Sequence, residues 1–331
     1  MKDLQLQLFQ LDEACRYLKD GRIPHLRLAL TLLDNSIELQ LDKKLASEFA
    51  HEETQERLRK HVLRIPEKER TPDLQKLIEW EPLSFKEKNQ ALRLFDEKIN
   101  LTAARYKLMI PSIAEVVQYL HKYRNDAFHR IHIRKDTIIT SVVILLDIAC
   151  DLLLNIKTYN FVHSSDEDYS WLEQRFGVKS SQAMLDETFT ENAIRLIKED
   201  VSITDDSIKL TLAENLLSRS SETRHFMDFI LENSRAKTRD QVLKNAYQFA
   251  KNNPQLGERP FKGKHDSFAL KFLEELEKDA GEIANAQDRV IAFNKFAAIE
   301  AKFEPVESAI AEITSIIDYQ IQLEVDIARG K

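Results

Sequence analysis

The ten residues YRNDAFHRIH, at positions 123–132, concentrate side chains that bind phosphate and transfer protons. Across residues 121–135, five lysines and arginines stand against a single acidic residue, Asp126, so the local charge is about +4. Arginine presents a planar fork that suits phosphate oxygens, and histidine gives or takes a proton near neutral pH. The stretch is therefore either a solvated helix end or a site that handles phosphate.

An arginine and a histidine are sufficient to cleave RNA without a metal ion. The histidine acts as general base on the 2′-hydroxyl or as general acid on the leaving 5′ oxygen, and the arginine stabilises the charge that develops at phosphorus. At about 100° per residue, Arg124 and His129 lie roughly 140° apart around a straight helix, whereas Asn125 and His129 are neighbours one turn apart. Two chains meeting around a two-fold axis would supply both residues twice. The spacing therefore favours a homodimer with a shared cleft.

The elements that position this stretch are predicted to be helices. With only 6 glycines and 8 prolines in 331 residues, and 43% hydrophobic residues, the composition predicts an all-α fold. From about Pro24 to Leu45, five apolar residues recur at steps of three or four and form one buried stripe, namely Leu26, Leu30, Leu33, Ile37 and Leu41. Asp34 and Glu38 could form a metal-binding pair or a solvated acidic face. We predict the solvated face, because no histidine or third carboxylate joins them.

The remaining pattern places the basic stretch between two helices. Pro72 and Pro82 should break the segment around them into short helices, and Pro111 fits the first turn of the helix that ends in the basic stretch. Asp136 is the predicted N-cap of the following helix, whose apolar run is expected to be buried rather than to span a membrane. Residues 158–170 are a candidate linker.

Several classes of function are disfavoured. The two cysteines form no CxxC pair, so neither a disulfide framework nor a zinc site is indicated. No glycine-rich phosphate loop is present, which disfavours nucleotide hydrolysis. The start does not resemble a signal peptide, and we expect a soluble, cytoplasmic protein. The net charge of -7 argues against general coating of nucleic acid, but it permits a local basic site.

The string RNDAFH resembles the signature of the HEPN superfamily of ribonucleases: an arginine, then a polar residue, then a histidine after a short variable gap. Arg124, Asn125 and His129 fill these places with a gap of four residues. The upstream stripe and the helix after the motif also resemble the helical core of that family. The resemblance covers roughly residues 1–160. It implies a HEPN-like helical bundle there, followed by a second helical region, residues 161–331, of unknown role.

The resemblance also implies a function. It predicts a metal-independent endoribonuclease without a cofactor, in which Arg124 and His129 are catalytic and Asn125 orients the histidine or the phosphate. Four further residues are candidates for contacts to RNA, namely Lys122, Arg130, His132 and Arg134. The partners it implies are an RNA substrate, a second copy of the chain that completes the active site, and an antitoxin or regulatory protein, but no membrane. Such enzymes serve as toxins or as effectors of antiviral defence.

One alternative stays open at this point. The chain could be a non-catalytic helical adaptor or an RNA-binding scaffold, whose basic cluster binds an acidic partner or RNA without cutting. His121 lies two helical turns before His129, and we predict a structural role for it.

Overall fold

The computed structural model describes residues 2–129, 135–156, 170–177, 187–253 and 264–329. Within these ranges the chain forms thirteen α-helices and no strand, so the predicted all-α fold is confirmed. The helices, in chain order, are α1 Lys2–Asp20, α2 Ile23–Val62, α3 Pro72–Glu79, α4 Phe85–Arg93, α5 Phe95–Ala104, α6 Pro111–His129, α7 Lys135–Asn155, α8 Ser170–Phe176, α9 Glu187–Asp200, α10 Asp205–Asn233, α11 Arg239–Asn252, α12 Leu270–Ala284 and α13 Arg289–Ala328.

The short helices α3 to α5 follow from local sequence. Pro72 occupies the first turn of α3, and the Thr71 hydroxyl caps that helix by accepting a hydrogen bond from the backbone N–H of Leu74. At α4, Ser84 and Glu87 cap each other's backbone N–H groups and form a capping box. The predicted break around Pro72 and Pro82 is therefore confirmed.

The chain divides into two compact units. The first contains residues 1–126 and 145–201, and the second contains residues 127–144 and 202–331. The chain thus enters the second unit after the basic motif begins, and it returns to the first in the middle of α7. The predicted domain boundary at residue 160 and most of the candidate linker fall on residues 157–169, which lie outside the described residues.

The first unit is built on the predicted apolar stripe. α1 packs along α2, and all five stripe residues of α2 are fully buried. Burying a leucine or isoleucine side chain is worth about 1.5–3 kcal/mol, so this stripe is a main source of stability.

α7 is long and apolar enough to cross a membrane, and 78% of its most apolar window is buried, in agreement with the predicted buried helix. α7 begins at Lys135, so Asp136 lies inside its first turn and is not the N-cap that the sequence predicts.

The second unit contains a buried ionic cluster. Arg219 of α10 is fully buried and binds Glu300 of α13 through two hydrogen bonds, of 2.6 and 2.9 Å. The same guanidinium binds Glu307 at 2.7 and 3.0 Å, and it lies over the ring of Phe303. Asn215 extends the network to the first half of α7, because its amide donates to the Thr140 hydroxyl at 3.0 Å. Helices α10, α13 and the start of α7 are therefore joined by polar contacts inside this unit.

Candidate functional site

The basic motif occupies the last turns of α6. This helix begins at Pro111, whose missing N–H costs nothing in a first turn, and it ends at His129. The next helix begins at Lys135. The RNDAFH stretch therefore stands at the end of one helix, shortly before the next, as the sequence predicts.

Arg124 is anchored by a buried carboxylate. Its Nη2 donates a hydrogen bond to Oδ2 of Asp34, which lies on α2. The Asp34 side chain is 1% exposed, whereas that of Arg124 is 24% exposed. A buried carboxylate without a partner costs free energy, so the contact between Asp34 and Arg124 is maintained in the folded protein. This contact fixes the position and the direction of the guanidinium.

The same carboxylate also holds a histidine. Nδ1 of His121, one helical turn before Arg124, lies 2.8 Å from Oδ1 of Asp34. The imidazole stacks on the ring of Phe95, the first residue of α5, with centroids 3.8 Å apart and planes 11° apart. Each oxygen of Asp34 thus binds a different side chain of α6, and α5 packs against one of these two side chains.

The prediction of a solvated acidic face is wrong for Asp34. Asp34 follows Leu30 by four residues and precedes Ile37 by three, so it lies along the buried stripe rather than opposite it. The spacing of Asp34 within the apolar stripe indicates that it is buried. The same spacing does not indicate its partners, which are 87 and 90 residues away in the sequence. The neighbouring Glu38 also has a partner, because its Oε1 accepts a hydrogen bond of 2.9 Å from Nζ of the buried Lys98.

The structure describes some of the other predicted site residues. Asn125 and Lys122 lie on α6 and are half-buried. The backbone of His129 forms the last residue of α6, but its side chain lies outside the described residues. The other three residues predicted to contact RNA also lie outside the described residues, namely Arg130, His132 and Arg134.

The arginine of this site retains hydrogen-bond donors for a ligand. Among the described residues, Asp34 is the one hydrogen-bond partner of Arg124, and it uses only the Nη2 end of the fork. Within the same residues, Nε of Arg124 is buried without a hydrogen-bond partner. The Arg124 side chain is 24% exposed, so it is the exposed part of the guanidinium, and not the buried Nε, that can contact a phosphate oxygen.

Metal chemistry has no obvious ligand set in the described part of the chain, where no group of three or more histidine, cysteine, aspartate or glutamate residues comes together. The cysteines are also poor candidates for chemistry. Cys15 and Cys150 are buried, and burial raises the pKa of the Cys15 thiol to about 12 and that of Cys150 well above its ordinary value. A thiolate nucleophile is therefore disfavoured at both positions.

Comparison of the chain with protein-family models, with curated proteins and with solved structures finds no match.

Proposed function

We propose that the chain is a metal-independent endoribonuclease whose active site contains Arg124 and His129, with Asn125 orienting the histidine or the phosphate. The observation that carries the proposal is the anchoring of Arg124 by the buried Asp34 at the end of α6. An arginine that is fixed before the substrate arrives loses little freedom when it binds a phosphate, which is the property of a preorganised site. The resemblance of RNDAFH to the HEPN signature supports the same assignment.

The proposed reaction is an internal transfer of phosphorus. The 2′-oxygen of one nucleotide loses its proton and attacks the adjacent phosphorus, and the bond from phosphorus to the 5′ oxygen breaks. The products are a 2′,3′-cyclic phosphate and a 5′-hydroxyl. Arg124 stabilises the negative charge on the non-bridging oxygens, and His129 transfers a proton. Both residue types perform these roles without a metal ion or another cofactor.

A homodimer is part of the proposal. Arg124 and His129 are separated by about 140° around an ideal helix, which suits a site that draws one residue from each of two chains. Contacts of Lys122, Arg130, His132 and Arg134 with RNA would supply the remaining positive charge. A cytoplasmic role as a toxin or antiviral-defence effector, held in check by an antitoxin or regulatory protein, rests on the family resemblance alone.

The test is cleavage of RNA by the purified full-length chain in excess EDTA, with analysis of the fragment ends. We expect wild type to leave 2′,3′-cyclic phosphates, and we expect Arg124→Gln and His129→Ala to lose at least about 100-fold in rate. Glutamine is chosen at position 124 because it removes the positive charge and keeps a polar side chain, and circular dichroism checks that the variant folds. Arg235→Gln, an exposed arginine on the loop after α10, is the matched control.

Cleavage that depends on a divalent metal, or that survives both substitutions, would overturn the proposal. RNA that is bound equally by all variants and left intact would instead identify the chain as an adaptor or RNA-binding scaffold.

A further inference from the structure

Among the described side chains, His121 is the histidine that lies next to Arg124. The two side chains bind the two oxygens of one carboxylate, Asp34, and they lie one turn apart on α6. We infer that His121 is a further catalytic residue of the proposed ribonuclease, the general base that takes the proton from the 2′-hydroxyl. This inference rests on the proposed function, and it adds a proton-transfer group that the RNDAFH motif does not contain.

The contact with Asp34 defines which ring nitrogen is free to act. A carboxylate can only accept hydrogen bonds, so Nδ1 of His121 is the donor to Oδ1 at 2.8 Å. In the neutral ring the lone pair is then on Nε2, the nitrogen that points away from Asp34. An aspartate that holds a histidine in this tautomer is the arrangement by which hydrolases orient a general base.

The orientation of the ring is fixed from a second side. Phe95 stacks on the imidazole at 3.8 Å between centroids, so the ring cannot turn without breaking both the stack and the hydrogen bond. The His121 side chain is 16% exposed, against 1% for Asp34, so the histidine is the member of this pair that reaches the surface.

Arg124 places a permanent positive charge beside His121, because both side chains bind the same carboxylate. The cluster therefore combines a cation that can bind a phosphate oxygen with a histidine that can take up a proton.

The step balances with one further group. The proton of the 2′-hydroxyl passes to Nε2 of His121, the 2′-oxygen forms its bond to phosphorus, and the bond from phosphorus to the 5′ oxygen breaks. Arg124 donates hydrogen bonds to a non-bridging oxygen as the charge on it grows. The departing 5′ oxygen takes a proton from His129, the histidine of the motif. No electrons are gained or lost, and no co-reactant is needed.

The decisive variant is His121→Asn. Its amide nitrogen takes the place of Nδ1 and still donates to Asp34, whereas Nε2 is lost. We expect kcat to fall at least about 100-fold, with KM within about threefold of wild type. The matched control, His225→Asn, changes an exposed histidine of α10 and should cleave RNA at the wild-type rate.

A second substrate separates base from acid. Uridine 3′-(4-nitrophenyl phosphate) releases a nitrophenolate, which leaves without a proton. His129→Ala should therefore regain most of its activity on this substrate, whereas His121→Asn should stay at least about 100-fold slow. Recovery of His121→Asn would overturn its assignment as the base.

Different results would contradict the proposed ribonuclease function and the role of His121 as general base. If wild type cleaves RNA and His121→Asn does so within a few-fold, only the inference on His121 is wrong. If wild type cleaves neither substrate, the proposed function fails and the inference fails with it.

Thermal unfolding of each variant is measured by circular dichroism. Should His121→Asn not fold, His121→Gln replaces it, because glutamine also lacks a group that takes up a proton. That substitution must lower kcat at unchanged KM, and an unchanged kcat would contradict the inference.

Discussion

At the scale of single residues, the candidate site depends on one carboxylate. Asp34 is buried, and its two oxygens hold Arg124 and His121. The three side chains differ in their access to water, since Asp34 is 1% exposed, His121 16% and Arg124 24%. Removing one of the partly exposed partners therefore has a different consequence from removing the buried carboxylate itself.

We expect Arg124→Ala to destabilise the protein more than Asp34→Ala does. Loss of Arg124 leaves a buried carboxylate with His121 alone, and breaking a buried ion pair in this way costs about 3–5 kcal/mol. Loss of Asp34 leaves two side chains that can turn to water, which costs about 1–3 kcal/mol. The measurement is the free energy of unfolding in urea for both variants and for the double variant.

The double variant distinguishes this explanation from simple loss of packing. With no carboxylate left to bury, Arg124→Ala combined with Asp34→Ala should be more stable than Arg124→Ala alone. A double variant that is less stable by the sum of both effects would show that the two residues do not stabilise each other.

At the scale of elements, the contact between α10 and α13 carries a second buried charge. Glu300 accepts two hydrogen bonds from Arg219, and Glu307 accepts two more. Burial raises the pKa of Glu300, because the low-polarity surroundings disfavour its charged form more than Arg219 favours it. The folded protein then holds this proton more tightly than the unfolded chain does.

This difference predicts how stability changes with pH. A carboxyl whose pKa is raised on folding makes the folded state less stable as pH rises above the ordinary value of 4.5 and through the folded value. Glu300→Gln removes the titration and keeps one of the two oxygens that accept from Arg219, while Glu307 still balances the charge of Arg219. We therefore expect the difference in unfolding free energy between Glu300→Gln and wild type to shift in favour of Glu300→Gln as the pH rises above 4.5 toward neutrality, as measured by urea unfolding at both ends of this range.

Glu312→Gln, which changes an exposed carboxylate of the same helix, is the control and should leave the pH dependence as it is in wild type. If Glu300→Gln follows the wild-type curve at all pH values, Glu300 is fully charged in the folded state throughout the range.

The sequence predicts the elements better than the contacts between them. Spacing of apolar residues locates the buried stripe of α2, and the prolines locate the short helices α3 and α4. Both depend on interactions within a few residues. The C-terminal helix α13 is different, because it continues through Pro305 although proline removes a backbone donor from a helix interior. The burial of Phe303 and Val306 on either side of Pro305 shows that packing outweighs this local cost.

The candidate site shows the same limit. The string RNDAFH marks Arg124, but the aspartate that anchors this arginine and the phenylalanine that stacks on His121 lie on other helices. The position of Asp34 inside an apolar stripe indicates that it is buried, but the local sequence does not indicate which residues bind it. Pairing over 87 and 90 residues is decided by tertiary packing, so it becomes visible only in the folded chain.

At the scale of the whole molecule, the proposed enzyme is an assembly of two chains. Such an interface is hard to locate in a sequence, because it is formed by residues that come together only in the folded chain. The consequence that can be measured is functional. If each active site takes Arg124 from one chain and His129 from the other, two inactive variants can together build an intact site.

We expect mixed Arg124→Gln and His129→Ala chains to recover activity. Random exchange of subunits makes half of the dimers mixed, and each mixed dimer has one intact site of two, so the mixture should reach about a quarter of wild-type activity. The measurement is RNA cleavage after unfolding and refolding the two variants together, with each variant refolded alone as the control. Light scattering establishes that dimers have formed. Dimers that remain inactive in the mixture would show that each chain supplies both residues of its own site, and the composite site would have to be abandoned.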